Sequence, residues 1–350
     1  MKVYVGMDVS LKSSELCAVN EAGDKVWRGR AASDVEAISE ALRAHVPGLT
    51  RIGLETGGQT PYLAHGLRAA GFEVVALDAR AAKAVLKTRP VKTDKNDAAT
   101  LAELVRSGFY RPVHVKSFAA HKIRALLLAR EHLVGMRQQI MGTLRGLLRP
   151  FGLMIGKVGL SRFAMRVREL VAGDDLLKLA AEPLLLVLRT LCDQQRPLDA
   201  ELMRLAKANP VCQRIMSVDG VGVVTALAYM ASIDDPSRFK HARDVGPALG
   251  LTPGKYQSGE VERSGPISKW GDKLARRCLY SAANVLLTTV RARSELKSWG
   301  LRLRGKIGAA KAKVAVARKL ATLLLCLWRD GTVFEPYPST ASGSSPSCPA

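Results

Sequence analysis

Hydrophobic and polar positions change period several times along the first hundred residues. Val3–Val9 is a short β-branched run and Glu15–Asn20 is a second. The turn Glu21-Ala22-Gly23-Asp24 leads into Lys25–Arg30, so the three runs predict consecutive antiparallel strands. Ser33 and Asp34 offer an N-cap to a helix over Val35–Val46, where Val35, Ile38, Leu42 and Val46 recur at helical spacing. Arg51–Glu55 predicts a strand. Pro61–Ala70 predicts a helix started by proline and stopped by Gly71, and Phe72–Leu77 another strand. Thr93 caps a last helix, Asp94–Ser107, ended by Gly108. The order is βββ-α-β-α-β-α.

Three meandering strands followed by alternating helices and strands describe an α/β ribonuclease-H-like domain, a mixed sheet covered by helices. From Ser117 to Arg149 the pattern turns helical and basic. Leu126, Leu133, Ile140, Leu144 and Leu147 approximate a heptad seam. Residues 150–175 are less regular. Glu182–Lys207 is a second long helical candidate, with Leu191, Leu198 and Leu205 each seven apart. The two helices can pair as an antiparallel coiled-coil hairpin or form a plain helical core. After Asn209-Pro210 the pattern runs helix, turn, helix, irregular loop, then two helices, Lys273–Val290 and Lys306–Trp328, in a mainly α region. The division expected is 1–108, an α/β domain; 109–208, a helical or coiled-coil linker; 209–330, a C-terminal domain; and 331–350, a Pro/Ser/Gly-rich disordered tail.

Charge changes this picture. The chain has 350 residues, with 53 Lys+Arg against 31 Asp+Glu, a net charge of +22. Residues 1–107 carry +2, residues 108–205 carry +8, and residues 206–350 carry +12. The excess after residue 107 attracts polyanions through counterion release, and no amphipathic lipid-facing helix stands out. With 47% hydrophobic residues, global disorder is excluded. The longest apolar runs, such as Leu320–Trp328, fall short of the ~20 residues a bilayer requires, so no membrane association is expected. The N-terminus MKVYVGMDVS has an early acid and no small-residue cleavage site, which argues against a secretory signal. The six cysteines form no CxxC pair and the six histidines no ligand spacing, which fits reduced thiols in a cytoplasmic protein.

Four carboxylates carry the candidate chemistry. Asp8 lies in the first strand, Glu55 ends the fourth, and Asp94 and Asp97 share a face at the start of the last helix. In a ribonuclease-H-like sheet the first and fourth strands are neighbours and a closing helix passes over their ends, so the four can converge. Oxygen-only ligands select hard ions such as Mg²⁺, and two ions ~4 Å apart would support in-line phosphoryl transfer. Singly, each acid has an ordinary alternative: a strand-end cap for Asp8, a favourable helix N-terminus for Asp94 and Asp97.

In the second half, Ser217–Ala226 has the form of a helix-hairpin-helix turn, where Gly220 and Gly222 let backbone N–H groups approach a DNA phosphate. Gly250–Gly259 leads through Arg263–Asp272 into Arg276-Arg277. Ser258, among Lys255, Arg263 and Lys269, could be an exposed nucleophile. There is no nearby histidine to act as a base, and composition alone favours a polar turn.

Gly6-Met7-Asp8-Val9-Ser10, Glu55-Thr56, Lys92-Thr93-Asp94-Lys95-Asn96-Asp97-Ala98, the Gly220/Gly222 turn and Tyr256-Gln257-Ser258-Gly259 through Gly265–Gly271 occur in that order. Together they resemble the DEDD transposases of the insertion-sequence-110 family, over nearly the whole chain to about Trp328. The resemblance implies a RuvC-like nuclease domain, a coiled-coil insertion and a C-terminal transposase domain with a catalytic serine. It maps metal-binding carboxylates onto Asp8, Glu55, Asp94 and Asp97, with Mg²⁺ or Mn²⁺ as ions, and the serine onto Ser258. It further implies a dimeric or tetrameric recombinase acting on element ends and target DNA at the nucleoid, guided by a structured RNA, with the serine transiently joined to DNA. On that expectation, Ser258 and the carboxylates form a composite site, and Gly220, Gly222, Lys255, Arg263, Lys269, Arg276 and Arg277 contact nucleic acid. The rivals are a junction endonuclease using the four acids alone, a sugar-kinase-like or actin-like ATPase, suggested by Asp8-Val9-Ser10 and Lys12, and a non-catalytic nucleic-acid-binding protein. No second nucleotide-binding half supports the ATPase.

Overall fold

Val3–Val9 (β1) occupies the middle of a six-stranded sheet because both of its faces find apolar cover. It pairs antiparallel with Ser13–Asn20 (β2), which pairs antiparallel with Lys25–Ala32 (β3). On its other side β1 runs parallel to Leu49–Glu55 (β4), and β4 runs parallel to Val74–Leu77 (β5). The two-residue strand Pro112–Val113 (β6) closes the edge, giving the order β3-β2-β1-β4-β5-β6. The computed structural model describes residues 2–86, 93–258 and 261–337. The chain divides into two units, Met1–Phe118 and Ala119–Ala350.

Four helices serve the first unit: Val35–His45 (α1), Thr60–Ala69 (α2), Ala79–Leu86 (α3) and Asp94–Ser107 (α4). Val3, Val5, Met7, Leu16, Ile52 and Leu54 pack with Ile38, Leu42, Leu63 and Leu67 of α1 and α2 on one face. Each such side chain contributes about 1.5–3 kcal/mol by leaving water. On the opposite face, Tyr4, Cys17 and Val19 meet Ala98, Ala99 and Ala102 of α4, and Leu77 meets Leu101, Leu104 and Val105.

The capping residues act as the sequence predicts. Asp34 Oδ1 accepts from the N–H groups of Glu36 (2.8 Å) and Ala37 (3.3 Å), and these bonds, Ala37's first, hold its carboxyl below the usual range. Thr93 caps α4, and Gly108 ends it in the left-handed region at φ 72°. The pattern did not predict α3 or β6. Among its side chains described, α3 buries only Ala82, so its periodicity is weak.

The second unit is mainly helical: Phe118–Leu148 (α5), Leu160–Leu170 (α6), Asp175–Ala208 (α7), Pro210–Met216 (α8), Val223–Ile233 (α9) and Val245–Ala248 (α10) come first. A hairpin of Pro253–Ser258 (β7) and Val261–Ile267 (β8) follows, then Lys273–Thr288 (α11), Glu295–Ile307 (α12) and Ala309–Asp330 (α13). Helices α5 and α7 run antiparallel: Arg130 ion-pairs with Asp199, Arg137 Nη1 donates to Gln195 Oε1 (2.8 Å), and Leu144 and Leu148 pack with Leu185 and Leu188.

The expected heptad seam is kept only in part: Leu144 is buried, and Leu126 and Ile140 pack against core clusters. Leu127 and Leu148 are buried, whereas Leu147 is 44% exposed. The middle of the pair is polar, so nothing there enforces a strict period of 3.5 against the helix's own 3.6. Helix α7 also starts seven residues before the expected Glu182, because Asp174 caps it and it continues through Pro183 and Pro197. The irregular loop expected before α11 is instead the β7–β8 hairpin. Pro253, Gly254, Gly265 and Pro266, all poor strand formers, hide the strand signal in its sequence. The helix expected over Lys306–Trp328 is split, because Gly308, at φ 82°, ends α12 and begins α13.

Among the described residues no helix is long and apolar enough to cross a membrane. Phe334 N donates to Ser217 Oγ (2.8 Å), which holds the chain after α13 to the second unit. Residues 338–350, with Cys348 and most of the expected tail, lie outside the described residues, as do Lys92 and Gly259 of the motifs.

Candidate active site

Register places Asp8 and Glu55 at one end of the sheet. β1 and β4 are parallel neighbours with Gly6 opposite Gly53 and Met7 opposite Leu54, so Asp8 and Glu55 come next on adjacent strands. Their face follows from alternation. A Cβ on Gly6 would stand 2.1 Å from the Ala98 carbonyl and 2.1 Å from the Ala102 amide, so the backbone of α4 lies directly on β1. A Cβ on Gly53 would meet Val105 at 2.1 Å. Two residues further along each strand, Asp8 and Glu55 therefore share the α4 face.

The direction of α4 completes the arrangement. Arg106, in its last turn, donates from Nη1 to the Glu21 carbonyl (2.9 Å), beside Asn20, which pairs with Val3 at the start of β1. The C-terminus of α4 thus lies at the beginning of β1, and its first turn, with Asp94 and Asp97, at the end where Asp8 sits. Asp8, Glu55 and Asp97 are half-buried and Asp94 is exposed. The Thr93 hydroxyl accepts from Asn96 N (3.2 Å), and the helix N-terminus favours nearby carboxylates. Glu55 is followed by a fixed turn: Thr60 Oγ1 donates to the Glu55 carbonyl (2.9 Å) and accepts from Gly57 N (2.7 Å). Among the described residues, no three His, Cys, Asp or Glu side chains stand close enough together to hold a metal ion. The four carboxylates share an edge.

Register adds two residues to this edge that sequence reading missed. Asp8 is paired with Glu15 on β2, and Glu15 with Arg30 on β3. The signal was the tight turn after Ser10, which fixes Asp8 opposite Glu15 once β1 and β2 are taken as a hairpin.

Ser258 lies in the second unit, as the last residue of β7, paired with Val261 across the end of the hairpin. The base of the hairpin is tied down. Ser268 N donates to the Thr252 carbonyl (2.9 Å) and Lys269 N to the Gly250 carbonyl (3.2 Å). Arg276 Nη1 donates to the carbonyls of Leu249 (3.0 Å), Trp270 (2.8 Å) and Gly271 (3.2 Å), so this guanidinium fastens the loop into α11. Arg277 ion-pairs with Glu131 of α5. Lys269, at φ 56°, and Arg263 are exposed. Lys255 is placed by its backbone in β7.

The glycines of the α8–α9 turn differ. Gly220 adopts φ 86°, and a Cβ there would meet the Ala282 carbonyl at 2.8 Å, so close packing on α11 accounts for it. Gly222 caps α9 with open space around it.

Residues 5–151 match the family DEDD_Tnp_IS110, described as Transposase. Residues 212–298 match the family described as Transposase IS116/IS110/IS902 family. The transposase for insertion sequence element IS1111A of Coxiella burnetii is 29% identical over 332 residues, covering 92% of this chain and 88% of that protein. The putative transposase y4pF/y4sB of Sinorhizobium fredii is 29% identical over 340 residues, covering 96% and 85%. Among solved structures, T. thermophilus RuvC in complex with Holliday junction substrate aligns with 32% of this chain and 100% of that chain, at 14% identity and a TM-score of 0.26. One family match spans the carboxylate edge, the other spans the serine hairpin, and the alignments to transposases run nearly end to end: the chain belongs to the IS110 family and is an insertion-sequence transposase.

Proposed function

We propose that this transposase cuts and rejoins DNA strands with Asp8, Glu55, Asp94 and Asp97 of a ribonuclease-H-like unit and with Ser258 as nucleophile. The observation that carries the reading is the antiparallel lie of α4 on β1, which brings the Asp94/Asp97 turn to the strand ends of Asp8 and Glu55. These side chains offer only carboxylate oxygens, the donor set that Mg²⁺ takes and Mn²⁺ accepts in its place. Asp8 and Glu55 from the strands and Asp94 and Asp97 from the helix would hold it, and the bound ion would offset charge on the phosphoryl group in transfer.

Ser258 Oγ attacks phosphorus. The Oγ–P bond forms, the P–O bond to one strand end breaks, and the proton lost by the serine ends on that departing hydroxyl. A hydroxyl of the strand to be joined then attacks the same phosphorus: its P–O bond forms, the Oγ–P bond breaks, and its proton passes to Oγ, regenerating the serine. Because one phosphodiester is exchanged for another, rejoining requires no external energy source. The basic residues after 107 bind nucleic acid, and guidance by a structured RNA and assembly of two or four copies belong to the same reading. In domain terms, 1–108 is the nuclease, 109–208 the helical linker and 209–330 the transposase domain.

Replacing Asp8 by Asn tests the carboxylates. With Mg²⁺, strand cleavage should fall at least about a thousandfold while DNA binding survives, and calorimetry with Mn²⁺ should lose the wild-type heat of binding. Full recombination by the Asp8→Asn protein would overturn the assignment.

A further inference from the structure

Charged side chains on the α4 face continue past Asp8 toward the edge of the sheet. β1 and β2 pair Asp8 with Glu15, and β2 and β3 pair Glu15 with Arg30. Directly paired residues share a face. Cys17 confirms which one, since it packs on Ala98 and Ala102 of α4 two residues from Glu15. Arg30, Glu15 and Asp8 therefore stand in line across three neighbouring strands, and Glu55 follows on β4. Strand spacing puts the Arg30 backbone about 10 Å from that of Asp8.

Two carboxylates opposite each other on adjacent strands repel. Arg30 Nε lies 3.5 Å from Glu15 Oε1 and offsets part of that repulsion. Charge balance does not explain the rest of the arrangement. The Arg30 side chain is 69% exposed, whereas Glu15 is 18% exposed. Ser13 Oγ accepts from Arg30 Nε (3.1 Å) and Nη2 (2.8 Å), so the guanidinium plane is fixed from its own side of the sheet. Arg28, paired with Cys17, adds an exposed cation on the same face, one pleat along the edge strand. An oriented guanidinium left open to solvent suits a phosphate, which accepts its parallel donors.

We propose that Arg30, held by Glu15 and Ser13, binds a backbone phosphate of the DNA strand being cut and so presents the neighbouring phosphodiester to Asp8. The inference rests on the carboxylate reading of this edge. Glu15 is a positioning residue that acts through Arg30. The competing account is that Arg30 only neutralises Glu15.

The test uses the full-length protein with Ca²⁺ in place of Mg²⁺ and a fluorescein-labelled single-stranded DNA of about 20 nucleotides, titrated across a range of salt. Arg30→Gln should bind about fivefold more weakly, and its slope of log affinity against log salt should be shallower by about 0.7, the share of one phosphate on a single strand. Glu15→Gln combined with Arg30→Gln should show the same loss, and Arg30→Lys should recover the slope. Wild-type affinity and slope in Arg30→Gln would overturn the proposal. So would a double variant that returns to wild type, because balance with Glu15 would then be the whole role. Asp8→Asn separates the two levels. If it still cuts DNA in Mg²⁺, the carboxylate reading fails and the Arg30 slope stands as a binding result alone. If it is inactive while Arg30→Gln binds as wild type does, only the Arg30 proposal fails.

Discussion

The two candidate reacting groups are mounted in opposite ways. In the first unit, chemistry is an extension of the core. The same face that holds Gly6 and Cys17 under α4 carries Asp8 two residues after Gly6 and Glu15 two residues before Cys17, and Gly53 under Val105 is followed by Glu55. In the second unit, Ser258 ends a strand of a hairpin, while the fastening lies at its base, in the Arg276 bonds and the Ser268–Thr252 contact. The contrast suits the two tasks. Carboxylates proposed to act together gain from strand register under a packed helix, which fixes the backbone that carries them. A nucleophile that bonds to one strand end and later releases it benefits from an arm with a fixed root.

The largest effect expected from this contrast is at the serine. Wild type incubated with substrate DNA and Mg²⁺ should yield a protein–DNA adduct that survives denaturation, and Ser258→Ala should yield none. The variant should melt as wild type does, because Ser258 lies at the tip of the hairpin and not in its anchored base. Recombination by Ser258→Ala at the wild-type rate would break the comparison and leave the carboxylates acting alone, as in a junction endonuclease.

Much of the first unit was legible because its signals are local. Thr93 and Gly108 delimit α4 over the residues predicted, and Asp34 caps α1 as expected. The four carboxylates could be named from their places in the strand and helix pattern. Glu15 and Arg30 join that edge only through the β1–β2–β3 register, which the turn after Ser10 sets once the strands are paired. The second unit was harder to read for a different reason. In the α5–α7 pair Arg130, Arg137 and Gln195 occupy positions where a heptad reading expects leucines. The neighbour of Gly220 is remote in sequence: Ala282 of α11, 62 residues on, occupies the space beside it.

A pair of glycine substitutions compares the two modes of construction directly. Gly6→Ala places a methyl group against the Ala98 carbonyl and the Ala102 amide, which are backbone atoms and cannot rotate away. The helix must lift, at about 3 kcal/mol, and the melting temperature of the first unit should fall by on the order of 10 °C. Cleavage should fall with it, since the Asp94/Asp97 turn rides on the same helix. Gly135→Ala, in α5, meets nothing within 4 Å and should stabilise its helix by about 0.5–1 kcal/mol. Circular dichroism melts of the two variants would check this. Equal melting shifts would mean that α4 is not seated on β1 as closely as the sheet end requires.

The smallest effect probes the polar middle of the α5–α7 pair. Asp199 is subject first to burial, which pushes its carboxyl up. Hydrogen bonds from Arg130 and Gln195, with the charges of Arg130 and Arg137, outweigh burial and hold it below its ordinary value of 3.8. A carboxyl whose value is lower in the folded than in the unfolded chain stabilises the fold fully above the unfolded value. That contribution fades as pH falls through the folded value. Because the side chain is 41% exposed, solvent reduces the pair to about 0.5 kcal/mol. Asp199→Asn should therefore lower the melting temperature of the second unit by about 1–2 °C at pH 7. The gap should persist down to about pH 4 and close below it. A variant that melts with wild type at neutral pH would show that the register of the helix pair rests on Leu144, Leu148, Leu185 and Leu188 alone, with the polar middle a solvated surface.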